Sequence, residues 1–257
     1  MNIDALPIWV IFLGTVLVVL GSIEFGHRIG QYTHRRTEGE KEGAVSGISG
    51  AILGITAFIL AFSFSIVANR YDARKSLVRE DANALRTAYA RSDFLPEPAR
   101  ADSQRLLKRY LDLRTRFLSD GAFDKPQVDS ALRETEQLQR SLWNAAVANA
   151  PRDDIGALYL DALNELAAIN ASRIAIGVQA RVPPIVWSAL LGLLVLGMVS
   201  IGYLAGIAGS NRSKATVILA IAFSTVITMI AALDRPGEAI VSQQPLLDVQ
   251  HYIEGGP

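Results

Sequence analysis

Four long stretches of the sequence are almost free of charged residues, and they occur in two pairs. The first pair covers residues 8–25 and 44–68, and the second covers residues 185–207 and 215–233. An α-helix of about 20 apolar residues is long enough to cross the hydrocarbon core of a bilayer. The pattern therefore predicts four transmembrane helices, with a polar loop joining the two helices of each pair.

The charged residues are concentrated between the two pairs, where apolar residues recur at helical spacing. Pro96, Pro98 and Pro151 divide this insert, because proline interrupts a helix. We expect four helices in the insert, over residues 70–94, 99–118, 127–150 and 153–181. The first and last of them are expected to extend the second and third spans directly. No stretch alternates with period two, so no sheet is expected.

The predicted fold is an all-α membrane protein with a helical insert between its second and third spans. We expect transmembrane helices 1 and 2 in residues 1–69, a helical extramembrane domain in residues 70–182, transmembrane helices 3 and 4 in residues 183–233, and a C-terminal tail in residues 234–257. The insert is large enough for a core of its own. Residues 26–43 are expected to form a polar loop, and the tail to contain a short amphipathic helix from Pro245.

The composition excludes several classes of function. Lysine plus arginine and aspartate plus glutamate both number 25, so the net charge gives no reason to expect a nucleic-acid partner. The absence of cysteine excludes disulfides, thiolate metal sites and thiol nucleophiles. His27, His34 and His251 lack metal-ligand spacing, and no nucleophile elbow or phosphate loop occurs. We therefore expect no enzymatic activity, no catalytic residue, no cofactor and no metal site.

Residues 47–79 form the stretch around which the rest of the chain is organised. Its first two-thirds carry no charge and its last third is charged on nearly every turn, while no proline occurs and no glycine follows Gly54. This stretch is therefore predicted to be one continuous helix that begins in lipid or in a pore and ends in water. We interpret the helix as the lining of an ion pathway.

Two phenylalanines are candidates for lining this pathway. Phe58 and Phe62 are four residues apart and therefore share one face of the helix. Two interpretations stay open at this point: the rings line a pore, or they pack against neighbouring helices or lipid. Gly47 and Gly50 are candidates for close helix packing, because small residues at such spacing let helix backbones approach one another.

Polar residues follow the phenylalanines towards the wet end of the helix. Ser65 and Asn69 place a hydroxyl and an amide near the end of the span. Arg70 and Arg74 come next, and they too have two interpretations. They belong either to the belt of charges that is common at the ends of spans or to a vestibule at the mouth of a pore.

Short motifs in the chain resemble the bestrophin family. Residues 70–75 read RYDARK directly after a span of small and aromatic residues, as at the end of the second bestrophin helix. Residues 233–237 (LDRPG) and 244–248 (QPLLD) are similar to the segments that follow the last bestrophin span. The chain looks closer still to the bestrophin-like family long known as a domain of unknown function, whose members share the run from FSFS to RYDAR.

The resemblance implies an anion channel in which the second helices of several copies, usually five, line the pore. The bestrophin neck corresponds here to Gly54, Phe58 and Phe62, where Gly54 replaces a larger apolar residue. The other implied pore residues are Ser65 and Asn69, and the implied vestibule charges, which would raise the local anion concentration, are Arg70 and Arg74. The expected partners are further copies of the chain, the lipid bilayer of the plasma membrane and small inorganic anions such as chloride.

The resemblance does not extend to calcium binding. Eukaryotic bestrophins bind calcium through a run of acidic residues after the last span. Here Asp234, Glu238 and Asp248 lie well apart, so no calcium site is expected.

Two questions stay open from the sequence. The basic residues of the short loops place the helical insert outside the cell by the positive-inside rule, whereas the resemblance places it in the cytoplasm. The alternative to a channel is a non-conducting membrane scaffold or sensor whose helical stalk binds a partner, which fits the absence of a buried charge in the spans.

Overall fold

The computed structural model of the chain describes residues 6–35, 42–116, 125–176, 181–209, 215–235 and 241–255. In these residues there are eight α-helices and no strand, which confirms the predicted all-α class. The helices are α1 (Ile8–His34), α2 (Glu42–Arg91), α3 (Ala99–Arg116), α4 (Lys125–Asn149), α5 (Asp154–Ile174), α6 (Pro184–Ile207), α7 (Ala215–Asp234) and α8 (Gln244–Ile253). A short 3-10 turn, Ser92–Phe94, follows α2.

The prediction of four spans in two pairs is confirmed in the described part of the chain. There α1, α2, α6 and α7 are the helices that are long and apolar enough to cross a membrane. The protein is therefore an integral membrane protein, and α3, α4 and α5 follow one another between the two pairs. The tail contains α8, as expected from Pro245 onwards.

The first span is longer than predicted, because α1 runs through much of the expected polar loop and ends at His34. A Cβ atom added at Gly26 would lie 2.0 Å from the carbonyl oxygen of Val199, and one added at Gly202 would lie 2.0 Å from that of Ile23. The backbones of α1 and α6 thus meet at glycines. This contact between distant parts of the sequence holds the additional turns of α1.

The second span continues directly into the insert, as predicted, because α2 is one helix of 50 residues. The corresponding prediction for the third span is wrong. α5 ends at Ile174, and the residues just before α6 are not helical. Pro183 has an extended conformation (φ −55°, ψ 141°), since it precedes Pro184 and a residue that precedes a proline avoids the helical region.

The chain divides into two compact units, each of which has its own core. The membrane unit comprises Met1–Asn69 and Arg181–Arg235, and the helical unit comprises Arg70–Ala180 and Pro236–Pro257. The sequence of α2 therefore contributes to both units. As an assignment of domains, the four segments expected from the sequence stay a prediction.

Each unit buries a set of apolar side chains. In the membrane unit the core includes Val19, Leu190, Leu194, Met198 and Ile227. In the helical unit it includes Leu85, Leu107, Tyr110, Leu142, Tyr159 and Leu166. The tail helix α8 adds Leu246, Val249 and Ile253 to the core of the helical unit.

Candidate functional site

One side of α2 packs against its own chain within the membrane unit. Val45, Leu60 and Val67 are buried on this side. Two hydroxyl groups on it bond to α6: the Ser49 Oγ lies 2.7 Å from the Ser200 Oγ, and the Thr56 hydroxyl donates to the carbonyl of Leu193 at 3.3 Å. These contacts fix which face of α2 is left open.

The predicted neck residues all lie on the open face. Phe58 is 69 % exposed and Phe62 is 58 % exposed. Gly54 is exposed too, and a Cβ atom added there would meet nothing within 4 Å. The two rings are therefore not buried in their own chain, and the face is free to meet a second copy, lipid or the inside of a pore.

The other predicted residues of the span share this face. Ser65 and Asn69 are exposed, and so are Gly47 and Gly50. A Cβ atom added at Gly47 or Gly50 would meet nothing within 4 Å in this chain. Close packing at these glycines stays a prediction, and it concerns contact with another molecule rather than contact within the chain.

The two predicted vestibule charges lie on the other side of α2. A residue advances by about 100° around an α-helix, so Arg70 and Arg74 lie about 160° to either side of Gly54. Arg74 is only 8 % exposed, and Arg70 is half-buried. Their role in a vestibule stays a prediction, which this placement does not favour.

A buried ion-pair network, which the sequence analysis missed, holds α2 in the helical unit. Asp81 is fully buried, bonds to Arg173 of α5 and lies 3.7 Å from the Arg114 Nε of α3. Arg114 in turn donates to the hydroxyl oxygen of Tyr110 at 2.8 Å and to the side chain of Asn170. One signal was present in the sequence, because Asp81 lies within the apolar stripe of α2 and not on its charged face.

Burial also shifts the ionisation of a tyrosine in this network. Removal from water raises the pKa of Tyr110 to about 12, although the positive charge of Arg114 acts in the opposite direction. The hydroxyl is therefore protonated at neutral pH. The network has two guanidinium groups for one carboxylate. It connects α2 to α5 by a charge-assisted hydrogen bond between Arg173 and Asp81, and α2 to α3 by the ion pair of Asp81 with Arg114.

The LDRPG motif ties the end of α7 to the chain before α1 and before α6. The Asp234 carboxylate accepts a hydrogen bond from the Val182 backbone N–H at 3.0 Å, and the Asp234 carbonyl accepts one from Arg181 at 2.7 Å. Arg235 is buried and donates to the carbonyl of Leu6 at 2.6 Å. Asp234 and Arg235, the two charged residues of this motif, are therefore both hydrogen-bonded to other segments of the membrane unit.

Of the three acidic residues compared with the bestrophin calcium site, the structure describes Asp234 and Asp248. Glu238 lies outside the described residues. Within the part of the chain that the structure covers, no group of three His, Cys, Asp or Glu side chains is arranged to hold a metal ion.

Comparisons with known proteins agree with this architecture. The family model of the bestrophin-like domain matches residues 13–246. The crystal structure of a mutant bacterial bestrophin homolog from Klebsiella pneumoniae superposes with a TM-score of 0.60, at 18 % identity, over 96 % of this chain and 97 % of that chain. The crystal structure of a membrane protein variant gives a TM-score of 0.59 at 17 % identity, over 96 % of both chains. No curated protein matches the chain.

The family match extends over nearly the whole chain and includes most of the first span, the other three spans and the helical insert. It confirms the resemblance that rested on the RYDARK, LDRPG and QPLLD segments. The two structural matches confirm the fold, with two spans, a helical insert and two further spans. The chain belongs to the bestrophin-like family.

Proposed function

We propose that the protein is an oligomeric, bestrophin-like channel in which copies of α2 surround a pore that conducts small inorganic anions such as chloride. The observation that carries the proposal is the open face of α2, where Phe58 and Phe62 point away from their own chain. The family match and the similarity to a bacterial bestrophin homolog support the same kind of protein. We propose five copies, by analogy with bestrophins, in the plasma membrane.

The composition of the open face fits an aqueous pathway better than a lipid contact. Ser65 and Asn69 expose a hydroxyl and an amide on this face near the end of the span. Polar groups within a membrane usually face other helices or a water-filled cavity, because lipid offers no hydrogen-bond partner. Gly47, Gly50 and Gly54 leave room on the same face for the close approach of another copy.

The two phenylalanines would form the narrow part of this pathway. A ring of apolar side chains around an axis can close a pore by excluding water. The edge of a phenylalanine ring carries partial positive charge, so edges turned towards the pore favour anions. Gly54, one turn before Phe58, widens the neck at the level where bestrophins carry a larger residue.

Recordings from purified protein in planar bilayers test the proposal. We expect currents whose reversal potential follows the chloride gradient. The double variant Phe58→Ala and Phe62→Ala is expected to enlarge these currents at least about twofold, because it removes the apolar constriction. Phe25→Ala is the matched control, since Phe25 is equally exposed but lies on α1, and it should leave the currents unchanged.

Two results would contradict the proposal. Currents no larger than those of empty bilayers, from protein whose oligomeric state has been verified, would exclude conduction. A monomer or dimer in mild detergent would leave too few copies of α2 to surround a pore. Either result would favour the non-conducting scaffold or sensor.

A further inference from the structure

A line of residues spaced by sevens follows the open face of α2 from the span into the helical unit. Seven residues make about two helical turns, with a drift of about 20° per step. Starting from Phe58, the line passes Ser65, Asp72, Arg79 and Arg86. All five are exposed, so the helix continues to present one open side.

The buried residues of α2 in the helical unit confirm the orientation of this side. Leu77, Asp81, Leu85 and Ala88 are buried in the helical unit. By helical spacing they lie on the side opposite Asp72, Arg79 and Arg86. The charged line is therefore the outer face of α2, whereas Arg70 and Arg74 are not part of it.

The line carries an excess of positive charge. Asp72 contributes one negative charge, and Arg79 and Arg86 contribute one positive charge each. The neighbouring Lys75 and Glu80, both exposed, offset each other. Each copy of the chain thus adds about one positive charge to this face, and an oligomer arranged around an axis would repeat that charge in rings.

The structure leaves the charges of these two arginines available. The Arg86 guanidinium lies 4.3 Å from the centre of the Tyr252 ring of α8. A cation–π contact orients a guanidinium without cancelling its charge as a carboxylate would. In the described part of the chain, Arg79 has no ion-pair partner, whereas Arg105 on α3 is paired with Asp102 at 2.5 Å.

We infer that Arg79 and Arg86 form the anion-attracting surface at the wet mouth of the pore. This inference rests on the proposed function and names the residues that make that mouth favour anions. Rings of arginine or lysine side chains are a known device for anion pores. Positive potential in a confined mouth raises the local concentration of anions and therefore the rate at which they enter.

Salt dependence distinguishes this effect from a change of pore width. The Debye length is about 30 Å at 0.01 M salt and about 3 Å at 1 M, so the attraction acts at low salt and is screened at high salt. We expect Arg79→Gln with Arg86→Gln to reduce chloride current at least about threefold at low salt and to change it little at high salt. The permeability of chloride relative to potassium should fall as well.

Two controls accompany the double variant. Arg105→Gln removes the same charge from an exposed arginine of α3, away from this face, and should leave the low-salt current unchanged. Arg86→Lys keeps the charge but weakens the contact with the Tyr252 ring. It should behave like the wild type, which separates the role of charge from that of the ring.

The outcomes distinguish the inference from the proposed function. Low-salt current that survives the double variant, or that falls equally in Arg105→Gln, would overturn the inference while the channel itself remained. A loss of current in the double variant that is the same at low and high salt would also overturn it. No current from wild-type oligomers would overturn the proposed function and the inference together.

Discussion

At the scale of single residues, Asp81 is fully buried although its neighbours along the sequence are charged. It lies on a charged stretch of α2, yet its side chain is fully buried between Arg173 and Arg114. Without the carboxylate, two largely buried guanidinium groups would remain with no acid to compensate them. Removing one partner of a buried ion pair is costly for this reason, even where the intact pair adds little stability.

We therefore expect Asp81→Asn to lower the free energy of unfolding of the helical unit by about 3–5 kcal/mol. Chemical unfolding in detergent, followed by circular dichroism, measures the change. Asp161→Asn is the matched control, because Asp161 is an exposed acid on α5, and it should change stability by less than about 0.5 kcal/mol. Equal effects of the two variants would show that the buried network does not stabilise the unit.

At the level of elements, the crossing of α1 and α6 depends on two pairs of glycines. Gly26 and Gly30 of α1 face the α6 backbone, and Gly202 and Gly206 of α6 face the α1 backbone. At each of them an added Cβ atom would lie within 2.5 Å of a carbonyl oxygen on the other helix. Helix association in lipid relies on such packing, because the hydrophobic effect does not drive it there.

Gly202→Ala tests this crossing. The added methyl group would meet the carbonyl oxygen of Ile23, and overpacking of this kind typically costs about 1–3 kcal/mol. We expect a lower melting temperature in detergent. Gly192→Ala on the same helix is the control, since its Cβ would meet nothing within 4 Å, and it should not lower the melting temperature. If both variants melt like the wild type, the helices do not depend on close contact at Gly202.

The elements could be predicted from the sequence where local properties decide them. Uninterrupted apolar runs indicated the four spans, and the absence of proline in residues 47–79 indicated the continuous α2. The end of α1 could not be predicted, because its last turns are held by α6. The position of Asp81 in the apolar stripe indicated burial, but its partners Arg114 and Arg173 could not be predicted in the same way, since both are distant in sequence.

The candidate site was only partly predictable for a related reason. Apolar residues occur on all sides of α2 within the membrane, so its sequence alone does not say which face packs against α6. The spacing of Phe58 and Phe62 made them candidates, and the family resemblance added Gly54 and the neck. The structure adds that all three share an open face. Arg70 and Arg74 do not share this face, because helical spacing places them on the other side of α2.

For the molecule as a whole, the glycines of α2 lead to an expectation about assembly. Gly47 and Gly50 are exposed, and no atom of the chain lies close to where their Cβ atoms would be. A larger side chain at either position is therefore compatible with the fold of one chain. It would interfere only with another molecule that approaches this face.

We expect Gly50→Leu to weaken the oligomer while leaving the single chain folded. Light scattering after size-exclusion chromatography should show smaller assemblies, and circular dichroism should show unchanged helix content. Gly14→Leu is the control, because Gly14 is an exposed glycine of α1 that also has nothing within 4 Å of its Cβ position. Assemblies of wild-type size for Gly50→Leu would place the contact between copies elsewhere.

The glycine crossing also limits how the membrane unit can move. Since no side chain separates α1 from α6 where they cross, neither helix can slide or swivel against the other without a collision of peptide groups. The first and third spans are therefore expected to move together as one rigid frame. In the proposed channel, a movement that changes the width of the pathway would come from α2 shifting against that frame, at the hydroxyl contacts of Ser49 and Thr56 with α6.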